Sequence, residues 1–222
     1  MAEADGGYAV LLDGRGLRGP KGGAVVVPTR SLADLIAQEW EAQTTTIDLA
    51  AMHATRLANT ASEAVPTARD ATAQSIADYA GSDLVCYFAE GPESLVVRQR
   101  QCWEPLLARA EAEEGLVFVR AAGVIHQPQP PATLQRVKDI ALGQDDFGLT
   151  GLAFGTALFG SAVLALAVHR QWLSGPEAFD ASRVDEAWQE AQWGIDAEAA
   201  ERTARLRGEA AMLQRWFEGL PA

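Results

Sequence analysis

The alternation of apolar and polar positions changes character along the chain. Between residues 8 and 28 two runs of β-type composition, YAVLLD and AVVVP, flank the link GRGLRGPKGG, which is too rich in glycine for a helix. The pattern predicts two short strands in a hairpin or meander. The period then lengthens. Leu32, Leu35, Ile36 and Trp40 recur at helical spacing through SLADLIAQEWEAQ, with Ser31 as the expected N-cap and Asp34 three residues on. Residues 52 to 80 continue as helix with a break near Pro66, and LVCYFA at 84 to 89 is a β-type run before the turn EGPES. A second long helix spans 95 to 115, where Pro105 predicts a kink or restart. Beyond it LVFVRAAGVIH, 116 to 126, is strand-like. From 131 onward every segment is helical, with breaks expected at Gly175-Pro176 and Trp193-Gly194.

Strands segregated from a run of helices, without regular βαβ alternation, predict an α+β fold: a β-rich N-terminal region followed by an all-helical C-terminal region. The expected division is a β-containing domain over 1-90 and a mainly helical one over 91-222, with the strand at 116-126 able to return to the first part. At 222 residues the chain buries a sizeable core without staples.

One apolar run tests this picture. FGLTGLAFGTALFGSAVLALAV, residues 147 to 168, is uncharged over the length of a bilayer core, ~20 residues, and contains Gly151-x-x-x-Gly155, a packing pattern of membrane helices. Thr150, Thr156 and Ser161 interrupt it, no Trp or Tyr belt lies within it, and other helices are available to wrap it. A buried central helix is therefore expected rather than a membrane span.

Charge narrows the partners. Lys and Arg number 18 against 30 Asp and Glu, a formal charge of -12, so phosphate backbones and anionic lipid surfaces repel the molecule and nucleic acid is not an expected ligand. His53, His126 and His169 lie far apart, and Cys86 and Cys102 form no CxxC, so neither a metal site nor a cofactor is expected. Two thiols at this count read as an unpaired pair in a reducing compartment rather than a disulfide. The N-terminus MAEADGGYAV is acidic with no apolar region after it, which implies no cleaved leader and a cytoplasmic location.

Two motifs invite an enzymatic reading. Gly14, Gly16 and Gly19 spell G-x-G-x-x-G after a strand, with Asp34 at a distance suited to a ribose-binding acid, the basis of an alternative function as a small nucleotide-binding enzyme. That fingerprint needs a helix N-terminus next to the loop to face the pyrophosphate, and here Pro20-Lys21-Gly22-Gly23 leads into a strand, as in a Gly-rich turn. Asp185, Glu186, Glu190, Asp196 and Glu198 cluster near tryptophans and could serve as a general acid/base pair, but a charge run on a helix is ordinarily a solvated face, and no nucleophile motif accompanies them.

The segment DEAWQEAQWGIDAEA, 185 to 199, is less generic. Its spacing Glu186, Gln189, Trp193-Gly194, Asp196, Glu198 resembles the signature of the F1-ATPase assembly chaperones that attend the α subunit in mitochondria and related bacteria. Further blocks agree in order: VLLDGRGLRGP at 10 to 20, VPTRSLADLIAQEW at 27 to 40, MHATRLAN at 52 to 59, SDLVCY at 82 to 87, RQRQCWEPLL at 98 to 107 and GSAVLALAV at 160 to 168. The resemblance runs from Tyr8 to Phe217, and the ordered series carries it.

The resemblance implies a protein without catalytic activity that binds the newly made F1 α subunit, shields its apolar β-facing surface from aggregation and releases it when the β subunit competes. It also implies a monomer with no stable membrane insertion. The partner-binding residues it points to are Glu186, Gln189, Trp193, Asp196 and Glu198, an acid beside an aromatic suiting an Arg or a backbone N–H of the client. Trp188 and Trp193 have the competing role of core packing, and Glu186 that of an ordinary surface charge. Trp40 reads as core; Arg56 and Asn59 match family blocks with no role assigned. Departures from the family pattern occur at His53 and Ala54, and at Asp185 in an otherwise Glu-rich place.

Overall fold

A computed structural model of the chain describes residues 1–221. Five short strands open it: β1 (Ala2–Ala4), β2 (Gly7–Ala9), β3 (Leu11–Leu12), β4 (Arg15–Gly16) and β5 (Val26–Val27). They form an antiparallel sheet in the order β1-β2-β5 and a separate β3-β4 hairpin, so the meander is as expected but with more, shorter pieces. β1 has no β-branched residue and carries no strand signal of its own; pairing of Ala2 to Ala9 and Glu3 to Tyr8 makes it a strand.

The G-x-G-x-x-G run is two tight turns. Asp13 and Gly14 both take positive φ, 51° and 78°, and join Leu12 to Arg15 as a two-residue hairpin loop. The Gly22 N–H then closes on the Gly19 carbonyl at 2.9 Å. The Lys21 N–H donates to both carboxylate oxygens of Glu63, at 3.2 and 3.1 Å, so an acid already occupies the loop's outward donor. A phosphate would meet that carboxylate and no helix dipole.

Helices α1 (Arg30–Glu41), α2 (His53–Glu63) and α3 (Arg69–Ala80) follow, the last two separated at Pro66 as expected. The N-cap of α1 is Thr29 rather than Ser31. Thr29 is extended and its Oγ1 accepts from the Leu32 N–H at 3.2 Å, while the same hydroxyl donates to the carbonyl of Gly219 and so ties the helix start to the far end of the chain. Met52 offers α2 no side-chain cap. Glu39 of α1 does so from outside, accepting from the N–H groups of Ala54 and Thr55 at 2.7 and 2.8 Å and from the Thr55 hydroxyl at 2.8 Å.

The LVCYFA run divides into a 3-10 turn, Leu84–Cys86, and strand β6 (Tyr87–Phe88). Helix α4 (Glu93–Glu114) then runs unbroken through Pro105. Pro105 lies on the exposed side, where water can satisfy the carbonyl that loses its partner. The expected strand at 116-126 shrinks to β7 (Ala121–Ala122), parallel to β6. Side chains replace the missing ladder: Gln129 bonds both the N–H and the C=O of Val119, at 2.8 and 2.9 Å, and Thr133 donates to the Val117 carbonyl at 2.6 Å.

The rest is helical: α5 (Pro131–Leu142), α6 (Asp146–Phe159), α7 (Ala162–His169), α8 (Gly175–Ser182), α9 (Val184–Trp193) and α10 (Ala197–Glu218). The long apolar run is thus two helices, parted at Gly160, which adopts a left-handed φ of 64°. Among the described residues no helix is long and apolar enough to cross a membrane. The Gly151-x-x-x-Gly155 pattern serves packing inside the protein: a Cβ at Gly151 would lie 2.6 Å from the Phe217 ring, and one at Gly155 2.8 Å from Leu213. Small residues let α10 press onto α6, and a single apolar core joins the sheet and helices α1 to α10, α9 entering it through Val184.

Between α6 and α7 one carboxylate is enclosed. Asp83 accepts from the Ser161 hydroxyl at 2.5 Å and from the N–H groups of Val163 and Val85 at 3.1 and 3.3 Å. Burial pushes its pKa up to about 6 against the pull of these bonds. Cys86, buried beside it, and half-buried Cys102 are both free thiols.

Candidate functional site at the α9–α10 corner

Helix α9 is amphipathic in an uneven way. Its inner side is anchored to α4: the buried Gln99 amide donates to Asp185 at 2.6 Å and accepts from the Ala89 N–H at 2.7 Å, and Trp188 Nε1 donates to Ser94 at 3.2 Å. Asp185 is therefore a buried-side tether and no member of an acid/base pair. On the outer side Glu186, Gln189 and Trp193 stand exposed at successive turns.

The helix stops at Gly194, whose φ of 82° turns the chain, and Asp196 caps α10 by accepting from the Ala199 N–H at 3.0 Å. This reversal leaves Trp193 76% exposed, edge-to-face on half-buried Trp188 with centroids 6.1 Å apart. Of the two tryptophans, Trp188 packs against the core and Trp193 does not. Arg183 clasps the corner, its guanidinium bonding Glu190 at 2.6 Å and the Thr203 hydroxyl across on α10, with Phe179 beneath it.

An open groove of about 1000 Å³ lies between the end of α6, the α8–α9 junction and the first turns of α10. Glu186, Asp196 and Glu198 all line it, so the fold brings three of the five expected residues to one place; Gln189 and Trp193 sit outside it, on the outer face of α9. Its apolar part includes Leu158, Phe179 and Leu206. The sequence reading missed Glu201, Arg202 and Arg205 here, which look like ordinary solvated positions on a long helix until α8 and α9 close a wall opposite them. Among the described residues, Glu186, Glu198, Glu201, Arg202 and Arg205 make no ion pair. Charged groups without partners beside apolar surface suit recognition of another chain. No group of three or more His, Cys, Asp or Glu able to hold a metal ion occurs among the described residues.

A family model for ATP12 chaperone protein matches residues 1–111, half of the chain. The chain belongs to the ATP12 chaperone family. The crystal structure of Atp12 from Paracoccus denitrificans is similar over 98% of this chain and 93% of that one, at 40% identity and a TM-score of 0.89. The Agrobacterium tumefaciens protein Atu1473 is similar over 99% of this chain and 83% of that one, at 36% identity and a TM-score of 0.92. Membership makes this ATP12 protein a chaperone of ATP synthase assembly rather than an enzyme. The family match covers the β-rich part and the first helices, whereas the structural likeness extends through the α9–α10 corner.

Proposed function

We propose that this ATP12 protein binds the unassembled F1 α subunit in the bacterial cytoplasm, acting as a monomer, and shields the apolar surface that the β subunit later covers. Such surface drives aggregation while it waits for its partner. Release needs no nucleotide: the β subunit competes for the same surface and removes the client by mass action. The observation that carries this reading is the exposed Trp193 above a groove edged by Glu186, Asp196 and Glu198. Trp193 supplies an aromatic anchor, Gln189 a neutral hydrogen-bonding group beside it, and the three carboxylates charge-assisted acceptors for an Arg or backbone N–H of the client.

The test is co-purification with the organism's F1 α subunit expressed without β. Wild type should keep α soluble, and Glu186→Lys and Trp193→Ala should each lose it while remaining folded. A wild-type chain with no effect on α solubility sinks the client assignment.

A further inference from the structure

Helix α6 lacks a polar face, and burial explains only part of that. Between Gly148 and Phe159 the positions left open are Ala153, Phe154, Ala157 and Leu158, neighbouring pairs one turn apart on a single face. All four are apolar. A helix that merely closes a core carries polar residues on its open side, and none occurs here.

This face floors a trough with a cleft at each end. Ala153 and Phe154 line a cleft of about 310 Å³ against α2 and α3, with His53 and Arg56 on its rim. Leu158 lines the larger groove, edged by Glu186 and Glu198. The two lie one turn apart along the same face of α6, the first at Ala153 and Phe154 and the second at Leu158, with exposed Ala157 between them. From Ala153 to Leu158 the open face is about 8 Å long at the helical rise, room for one to two turns of a second helix. The trough also has a weak polarity: at the α9–α10 end the carboxylates of Glu186, Asp196, Glu198 and Glu201 outnumber the unpaired guanidinium groups of Arg202 and Arg205, Arg183 being held by Glu190, whereas the α2 end carries the exposed Arg56 guanidinium.

We propose that this trough receives an amphipathic segment of the client. Its apolar stripe seats on Ala153, Phe154, Ala157 and Leu158, its basic residues lie toward Glu186 and Glu198, and its acidic residues lie toward Arg56. The proposal rests on the reading of the protein as a chaperone of the F1 α subunit and adds where and in which direction the client lies. A lipid surface fits neither the concave shape nor the charge of -12. A second copy would present the same trough and leave both floors uncovered.

The test uses the full-length chaperone with full-length α subunit, expressed without β. A photo-crosslinking residue at Ala157 should attach to one contiguous stretch of α, and one at Val124, 98% exposed on a separate turn, should not. Ala157→Arg adds an unpaired charge to the floor at an exposed position and should weaken α retention about tenfold with unchanged thermal unfolding. Arg56→Glu should weaken it less, and the captured stretch should be basic at one end and acidic at the other. If wild type fails to retain α, the chaperone reading itself falls and the trough with it. If wild type retains α but Ala157→Arg binds within twofold of it, or the Ala157 crosslink reaches only a second copy of this chain, the trough proposal is overturned while the chaperone reading stands.

Discussion

Asp83 and Glu186 lie on opposite sides of the same wall. Behind it, Asp83 is fully buried and its oxygens are bonded by Ser161, Val85 and Val163. In front, where Leu84 and Gly160 line the groove, Glu186 stands exposed with no ion-pair partner among the described residues. A buried charge is tolerated only when its bonds are made, so the α6–α7 side is built for stability. An exposed charge without a partner adds almost nothing to folding and remains available to another molecule. Substitutions on the two sides should therefore separate into those that unfold the chain and those that only release the client.

The largest effect is expected in the core. Trp216 is fully buried, donates to the Phe147 carbonyl at 3.1 Å and stacks on its ring. Trp216→Ala should cost about 4 kcal/mol in urea unfolding, and α retention should fall only as far as the folded fraction falls. A variant that kept full stability but lost α would break the division. Next is Glu39, the external cap of α2: Glu39→Ala should cost about 2 kcal/mol by the same measurement, again without a specific binding defect.

Smaller, and readable by pH, are the buried titratable groups. Asp83 is pushed up to about 6, chiefly by burial, so between its ordinary 3.8 and 6 the folded state holds a proton the unfolded state has released. Its contribution is fully present below 3.8 and is lost as pH rises to 6. His169, buried edge-on against Phe217, is pushed down to about 4, again chiefly by burial, and contributes in the opposite sense: its share is present above 6.5 and lost as pH falls to 4. Across the shared window from about 4 to 6, Asp83→Asn should make stability rise more steeply with pH than in wild type, and His169→Phe should make it rise less. Superimposable profiles for all three chains would remove these two groups from the account. The smallest stability change belongs to the corner. Glu186→Lys should shift unfolding by no more than about 0.5 kcal/mol while abolishing α retention, the sharpest form of the comparison.

Much of the fold was legible because local patterns act locally. The Pro66 break, the glycine turn at 194 and the helical period through α1 each depend on residues within one or two turns. Where the reading slipped, a contact outside the local window had intervened, as when the Gly219 carbonyl holds the Thr29 hydroxyl that caps α1. Thr29 displaced Ser31 as the α1 cap, and Gln129 and Thr133 satisfied the run after α4 without a strand. For the site, the spacing of Glu186, Gln189 and Trp193 was readable as one helix face. The arginines at 202 and 205 were not, since a groove has two walls and only one is contiguous in sequence.

By itself, then, the sequence determined the β-rich start and the helical remainder, the absence of a phosphate-binding helix after the Gly-rich loop, and through its ordered blocks the family. Only the tertiary structure decided which surfaces stay open. It split the apolar run at Gly160 into two helices and buried most of both, yet left Ala157 exposed with Ala153, Phe154 and Leu158 half-buried around it, and turned Trp193 outward. Periodicity reports how many faces of a helix are apolar. How many of them find a partner depends on neighbours that arrive from far along the chain.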